Sequence, residues 1–203
     1  MYQSIRSFLK NIEQDFAIIP DERKDLLRRI SNYIQTRYDK NEPINLVYIC
    51  THNSRRSHFG QVAAAIAAAY YNIDKVATFS GGTEATAFNP NAINALKTLG
   101  FNVISDEKEV NPTYQVNFGN NLSTTCFSKV YDHESNPKID FAAIMTCSDA
   151  EQNCPFIPGV ALRIGTTYED PKISDGTPQQ NEIYLARFKQ IATETLYAFS
   201  LVK

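Results

Sequence analysis

The sequence predicts an α/β protein: an open four-stranded parallel sheet flanked by helices, with an N-terminal helical extension and an inserted β-hairpin. Three observations carry that expectation. Short runs that are almost continuously apolar, such as INLVYI at 44–49 and FAAIMT at 141–146, suit strands buried on both faces of a parallel sheet. Segments of helical periodicity separate these runs, the alternation that builds strand–helix–strand units. At 110–138 the rhythm breaks into two alternating stretches around Gly-Asn-Asn, which read as a hairpin.

Each element follows from local chemistry. Residues 3–17 place Ile5, Phe8, Leu9, Ile12 and Phe16 on one helical face, and Pro20 ends that segment. Residues 21–38 repeat the pattern with Leu26, Leu27, Ile30, Tyr33, Ile34 and Tyr38. Residues 1–43 thus form a two-helix extension, expected to pack on the main domain of 44–203 or on a partner subunit. After the first strand, an Ala-rich helix is expected over 57–73 and a short strand at VATFS. NPNAINALKTLG has proline near the helix start and glycine just past its end. GVALRI, 159–164, supplies the fourth strand. The long last helix is expected to be capped by Thr177, with Pro178 in its first turn and Gln180 completing a capping box. The inserted hairpin is expected to cover the active-site rim or to form a dimer contact, with Cys126 as an apolar filler.

Composition bounds the class. The 203 residues, 43% apolar, suffice for one real core, and a net charge of −2 gives no general attraction to nucleic acid or to anionic membranes. No apolar run approaches the roughly 20 residues of a membrane span, and the N-terminus lacks a secretory signal. A cytoplasmic protein is expected. Its four cysteines (Cys50, Cys126, Cys147, Cys154) are then thiols, ligands or catalysts rather than permanent staples. No CxxC or tight Cys/His cluster occurs, so no zinc site is expected.

The stretch VYICTHNSRRS is the most informative. A strand, a tight polar loop and a helix N-terminus make an anion cradle, polarised by inward N–H groups and the helix dipole. A cysteine at the head of that loop has its thiolate stabilised and is nucleophilic. Arg56, six residues after Cys50, returns a planar fork suited to a tetrahedral oxyanion. Ser57 stands where it donates a hydrogen bond to the thiolate.

This loop resembles that of the low-molecular-weight tyrosine phosphatase superfamily, and the similarity continues through FSGGTEATAFNPNAINALKTLGFNVI and from about 139 to the end. The resemblance implies a nucleophile at Cys50, loop order from Asn53, anion binding by Arg56 and thiolate support by Ser57. Thr51, His52, Ser54 and Arg55 complete the anion-binding loop. It also implies that Asp170, followed by Pro171, is the general acid, with Glu169 and Asp175 as substitutes.

MTCSDAEQNCP adds two cysteines seven apart. Ser148 and Glu151 read as a capping box opening a short helix. Helical residues at that spacing lie ~10 Å apart along the axis, whereas a disulfide needs Cα atoms within about 7 Å, so Cys147 and Cys154 join only if the helix unwinds. The pattern resembles the thioredoxin-coupled arsenate reductases of the same superfamily. That implies a relay in which Cys50 attacks arsenate, Cys147 attacks Cys50, and Cys154 resolves the pair into a disulfide for thioredoxin.

The chain also departs from the pattern. His52 replaces a usual glycine. Arg55 replaces a common cysteine, and its side chain is expected to face solvent. Gln61 replaces a glutamate near a potassium site, so neither potassium nor another cofactor is expected. The paired tyrosines that follow the acid in many tyrosine phosphatases are missing. Three functions remain open in this order: arsenate reductase, phosphomonoesterase using Cys50, Arg56 and Asp170, and non-catalytic oxyanion-binding redox sensor.

Overall fold

The computed structural model describes residues 1–105, 109–153 and 156–203. Helix α1 (Gln3–Glu13) and helix α2 (Asp21–Asp39) precede strand β1 (Ile44–Cys50), and α3 (Arg56–Tyr71) follows it. Then come β2 (Val76–Gly82), α4 (Pro90–Thr98), β3 (Asn102–Ser105), β4 (Tyr114–Gly119) and β5 (Leu122–Cys126). The chain closes with β6 (Phe141–Met145), the short α5 (Ser148–Asn153), β7 (Val160–Gly165) and α6 (Gln180–Ser200). Strands β2, β1, β6 and β7 form, in that order, the expected parallel sheet.

The continuously apolar strands are buried on both faces, and their residues divide by parity. Leu46 and Tyr48 of β1, with Ala142 and Ile144 of β6, join the larger core with α3 and α6. Val47, Ile49, Ala143 and Met145 face a smaller one that holds Ala150 of α5 and Ile157. Two layers of helix thus cover one sheet, as a period of two along each strand requires. Gly60 lets α3 lie close to β1: a Cβ there would sit 2.1 Å from the Tyr48 ring.

The N-terminal helices belong to the larger core. Ile5, Leu9, Ile12, Leu27, Ile30 and Ile34 are buried against it, and Phe8 stacks on Phe188 of α6 at 5.9 Å. The first helical stretch is shorter than its periodicity suggested. It gives way at Gln14 to a 3-10 turn (Gln14–Ile18), in which Phe16 meets Tyr197 edge to face.

The hairpin forms, β4 against β5, but it is not alone. Strand β3 pairs antiparallel with β4, so the insertion builds a three-stranded sheet on an edge that the sequence left unassigned. The expected cap of α6 also differs. The helix begins at Gln180, Thr177 Oγ1 instead donates to the Ser174 carbonyl at 2.8 Å, and Gln180 Oε1 accepts from Gly176 N. A 3-10 turn (Pro171–Ser174) and the turn after it take up the residues expected to open the helix.

Candidate functional site

Cys50 ends β1, Cys147 follows β6, and Asp170 follows β7, so all three lie at the carboxyl edge of the parallel sheet. Strand order runs outward in opposite directions from β1 and β6. The crevice where such an order reverses is the usual ligand position in open α/β sheets.

Between β1 and α3 the loop is held from outside. The carbonyls of Cys50 and Thr51 accept from Thr83 N and Glu84 N at 3.2 and 2.8 Å. That of His52 accepts from Thr86 Oγ1 at 2.9 Å and Ser128 Oγ at 3.2 Å, and that of Ser54 from Asn89 N at 2.9 Å. In a trans peptide the next N–H is antiparallel to the carbonyl, so the amides of Thr51, His52 and Arg55 are directed away from those partners. Gly82 allows this contact, since a Cβ would lie 2.6 Å from the Thr51 carbonyl. Asn53 takes the left-handed conformation, φ 43°, which Asn tolerates better than most residues. Its buried side chain accepts from Lys129 N and donates to Ser57 Oγ, both at 2.8 Å. Ser57 Oγ lies 3.1 Å from Cys50 Sγ.

A small pocket is lined by Cys50, His52, Ser54, Arg55, Arg56 and Asp170. Arg56 is 9% exposed. Its Nη1 donates to the Tyr168 carbonyl at 2.8 Å and its Nη2 to Asp170 Oδ2 at 2.7 Å. Its Nε is buried and, among the described residues, has no hydrogen-bond partner. A buried donor left unpaired is costly. The thiol, the guanidinium and the N-terminus of α3 together suit a tetrahedral oxyanion held against a sulfur.

Arg55 corrects an expectation. Its side chain is 12% exposed rather than solvent-facing. Nε donates to Tyr184 Oη at 2.8 Å, and Nη2 lies 3.5 Å from Asp175 Oδ2. Sequence periodicity could not reveal this, because its partners sit about 120 residues away on the last loop and helix. Glu169 pairs with Arg187 at 3.1 Å and is not in the pocket lining. Half-exposed His52 approaches Glu84 at 3.7 Å.

Cys147 is fully buried in the same apolar cluster as Cys50. Its sulfur lies 3.4 Å from Thr51 Oγ1 and accepts from Ala150 N at 3.4 Å. Glu151 N donates to the Cys147 carbonyl, so Cys147, not Ser148, caps α5. A sulfur at that position feels the positive end of the helix. Cys154 lies outside the described residues. Cys126 sits in the larger core, where burial pushes its thiol up to about 12, as an inert filler requires. Gln61 donates to Thr124 Oγ1 and to the Thr125 carbonyl, both at 2.8 Å, and ties α3 to β5.

Contacts with no sequence signal support the site: the Tyr168 carbonyl under Arg56, the Tyr184 hydroxyl on Arg55, and Ser128 and Lys129 of the insertion on the loop. Each depends on chain segments that only folding brings together.

No family model matches the chain. It is 25% identical over 155 residues to the arsenate reductase of Bacillus subtilis (strain 168), across 76% of this chain and 94% of that one. With the arsenate reductase of Brevibacillus brevis (strain 47) it shares 31% over 126 residues, 62% of this chain and 75% of the relative. Its fold matches the low molecular weight phosphotyrosine phosphatase from Vibrio cholerae O395 with a TM-score of 0.51 at 13% identity, over 77% and 94% of the two chains. The sheet with its Cys-x5-Arg loop defines an enzyme of the low-molecular-weight phosphatase fold. Within that class, the chain belongs to the arsenate reductase family.

Proposed function

We propose that this protein reduces arsenate to arsenite by a thiol relay through Cys50, Cys147 and Cys154, with thioredoxin as reductant. The observation that supports this reading most is the second thiol. Cys147 caps a short helix directly against the loop of Cys50, 3.4 Å from Thr51 Oγ1. Hydrolysis of a phosphate ester has no use for a sulfur there. The named relatives are arsenate reductases.

In this reading Arg56 and the loop amides hold arsenate while the Cys50 thiolate attacks arsenic. An oxygen leaves as water, and Asp170 supplies its proton. The Cys147 thiolate then attacks Cys50 Sγ. A 50–147 disulfide forms, the sulfur–arsenic bond breaks, and its electron pair stays on arsenic, which departs as arsenite. Cys154 attacks Cys147, freeing the Cys50 thiolate and leaving a 147–154 disulfide. Thioredoxin's dithiol returns the two electrons. Each exchange needs an attacking thiolate and an accessible sulfur. Cys147 is fully buried, so α5 must open during the cycle, which a helix of 6 residues does at low cost. The relay needs a reducing compartment, and the cytoplasm supplies one.

A second reading, hydrolysis of a phosphomonoester through a cysteinyl-phosphate, is favoured by one observation: the Asp170 carboxylate lines the pocket. In its protonated form it would give its proton to a leaving alcohol and return to the carboxylate.

The test is a paired assay on wild type, Cys147→Ser and Cys154→Ser: thioredoxin-dependent arsenate turnover beside p-nitrophenyl phosphate hydrolysis. The relay predicts that arsenate turnover falls to background in both variants. Ester hydrolysis in all three proteins, with no arsenate turnover by wild type, would establish the second reading. Neither activity, with oxyanion binding kept, would mark a redox sensor.

A further inference from the structure

The N-terminal helices reach the pocket through a buried chain of polar contacts. Arg23, in the first turn of α2, donates from Nε to Glu194 Oε2 at 2.8 Å, and its Nη2 lies 2.7 Å from the same oxygen. Tyr168 Oη donates to that oxygen as well, at 2.8 Å. The Arg23 guanidinium carbon lies 4.9 Å from the centre of the Tyr168 ring, and Nη2 approaches the Thr167 carbonyl at 3.5 Å. Glu194 and Tyr168 are 6% and 7% exposed. The next contact is with the pocket. The Tyr168 carbonyl receives Arg56 Nη1, and Asp170, two residues on, receives Arg56 Nη2. The Tyr168 N–H donates to the Thr146 carbonyl at 3.1 Å.

We propose that Arg23 is a positioning residue for the oxyanion pocket: through Glu194 and Tyr168 it sets the place of the 167–170 loop, and so the orientation of Arg56 and Asp170. The proposal rests on the reading of the pocket as an oxyanion site. The physical reason is that a buried carboxylate keeps its place only while its cation stays with it. Without Arg23, Glu194 seeks water or a proton, Tyr168 loses its shared acceptor and its stacked cation, and the carbonyl under Arg56 moves. A guanidinium that must meet a tetrahedral anion with two donors tolerates little displacement. Lysine keeps the charge but lacks both the rigid planar fork and the flat face over Tyr168.

A purely structural ion pair would lower stability and leave binding alone, so the test separates the two. Inorganic phosphate affinity is measured by calorimetry, well below each protein's unfolding temperature, for wild type, Arg23→Met, Arg23→Lys and Leu9→Ala. Protection of Cys50 from iodoacetamide by phosphate is measured in parallel. Leu9 is fully buried in α1 and is not in the pocket lining, so its truncation lowers stability without removing a group of the pocket or of the Arg23–Glu194–Tyr168 chain. Expected are a tenfold or greater loss of phosphate affinity in Arg23→Met, a loss of roughly threefold in Arg23→Lys, and affinity within twofold of wild type in Leu9→Ala. In an Asp170→Asn background the Arg23→Met effect should shrink, because the two act through one loop. Should Arg23→Met fail to fold, Arg23→Lys carries the comparison alone. Phosphate affinity within twofold of wild type in the Arg23 variants would overturn the proposal and leave the pocket reading intact. A wild type that binds no phosphate and gains no protection would overturn both.

Discussion

Ser57 makes a 3.1 Å contact with the Cys50 sulfur and is itself held by Asn53. A hydrogen bond to a charged group contributes about 1.5–3 kcal/mol, and each 1.36 kcal/mol is tenfold in rate. Ser57→Ala should therefore slow turnover by roughly 10- to 100-fold. Turnover within twofold of wild type would show that the serine does not support the reacting sulfur. The next residue of α3, His58, is fully buried, stacked on Phe88 at 4.1 Å and 3.1 Å from Ser80 Oγ. Burial, with a smaller push from Lys129, lowers its pKa from 6.5 to about 3. Between those values the unfolded chain holds a proton that the folded one refuses. The stability contribution is complete above pH 6.5 and lost as pH falls toward 3. At pH 5 the loss is about 2 kcal/mol. Urea unfolding at pH 7.5 and 5 should show it in wild type, and His58→Gln should show a smaller difference between the two pH values.

Elements position these side chains by close approach. Gly60 is where α3 meets β1, and a methyl group there collides with the Tyr48 ring. Overpacking of this kind costs about 1–3 kcal/mol. Gly60→Ala should lower the urea midpoint accordingly, and by lifting the start of α3 it should weaken phosphate binding too. Helix α4 is started by Asn89, whose Oδ1 accepts from Asn91 N and Ala92 N at 2.9 and 3.3 Å. Asn89→Ala removes a cap of about 1 kcal/mol, a fall of about 2–4 °C in Tm for a chain of this size. Phosphate affinity should hold, because the contact with the Ser54 carbonyl comes from the Asn89 main chain. Thr177 and Ser148 carry capping motifs but cap neither helix, for one reason. A capping motif is local, but a cap is used only where tertiary contacts let a helix begin. At α6 the 3-10 turn holding the 170–175 loop delays the start, and at α5 a cysteine takes the position.

For the molecule as a whole, the N-terminal helices complete a core rather than decorate it. Ile5, Leu9 and Ile12 are at most 1% exposed, and Phe8 covers Phe188, which also meets Phe59 and Phe101. Deleting residues 1–20 should expose this aromatic cluster, seen as dye binding to apolar surface and loss of a single cooperative unfolding transition. A truncated chain that still unfolds cooperatively near the wild-type temperature would assign the cluster no such role. Much of the architecture was legible beforehand. Buried strands announce themselves by unbroken apolar runs, helices by period, and the site by a cysteine and an arginine closing one loop. These are properties of contiguous residues, and a sequence displays contiguous residues directly. Folding alone settled which faces meet: Arg55 turned inward on Tyr184, Cys147 capping a helix beside Thr51, β3 joining the hairpin, and Arg23 reaching the loop under Arg56. Those pairings join residues far apart in the chain, and their partners are selected by packing and burial in three dimensions, which no local pattern encodes.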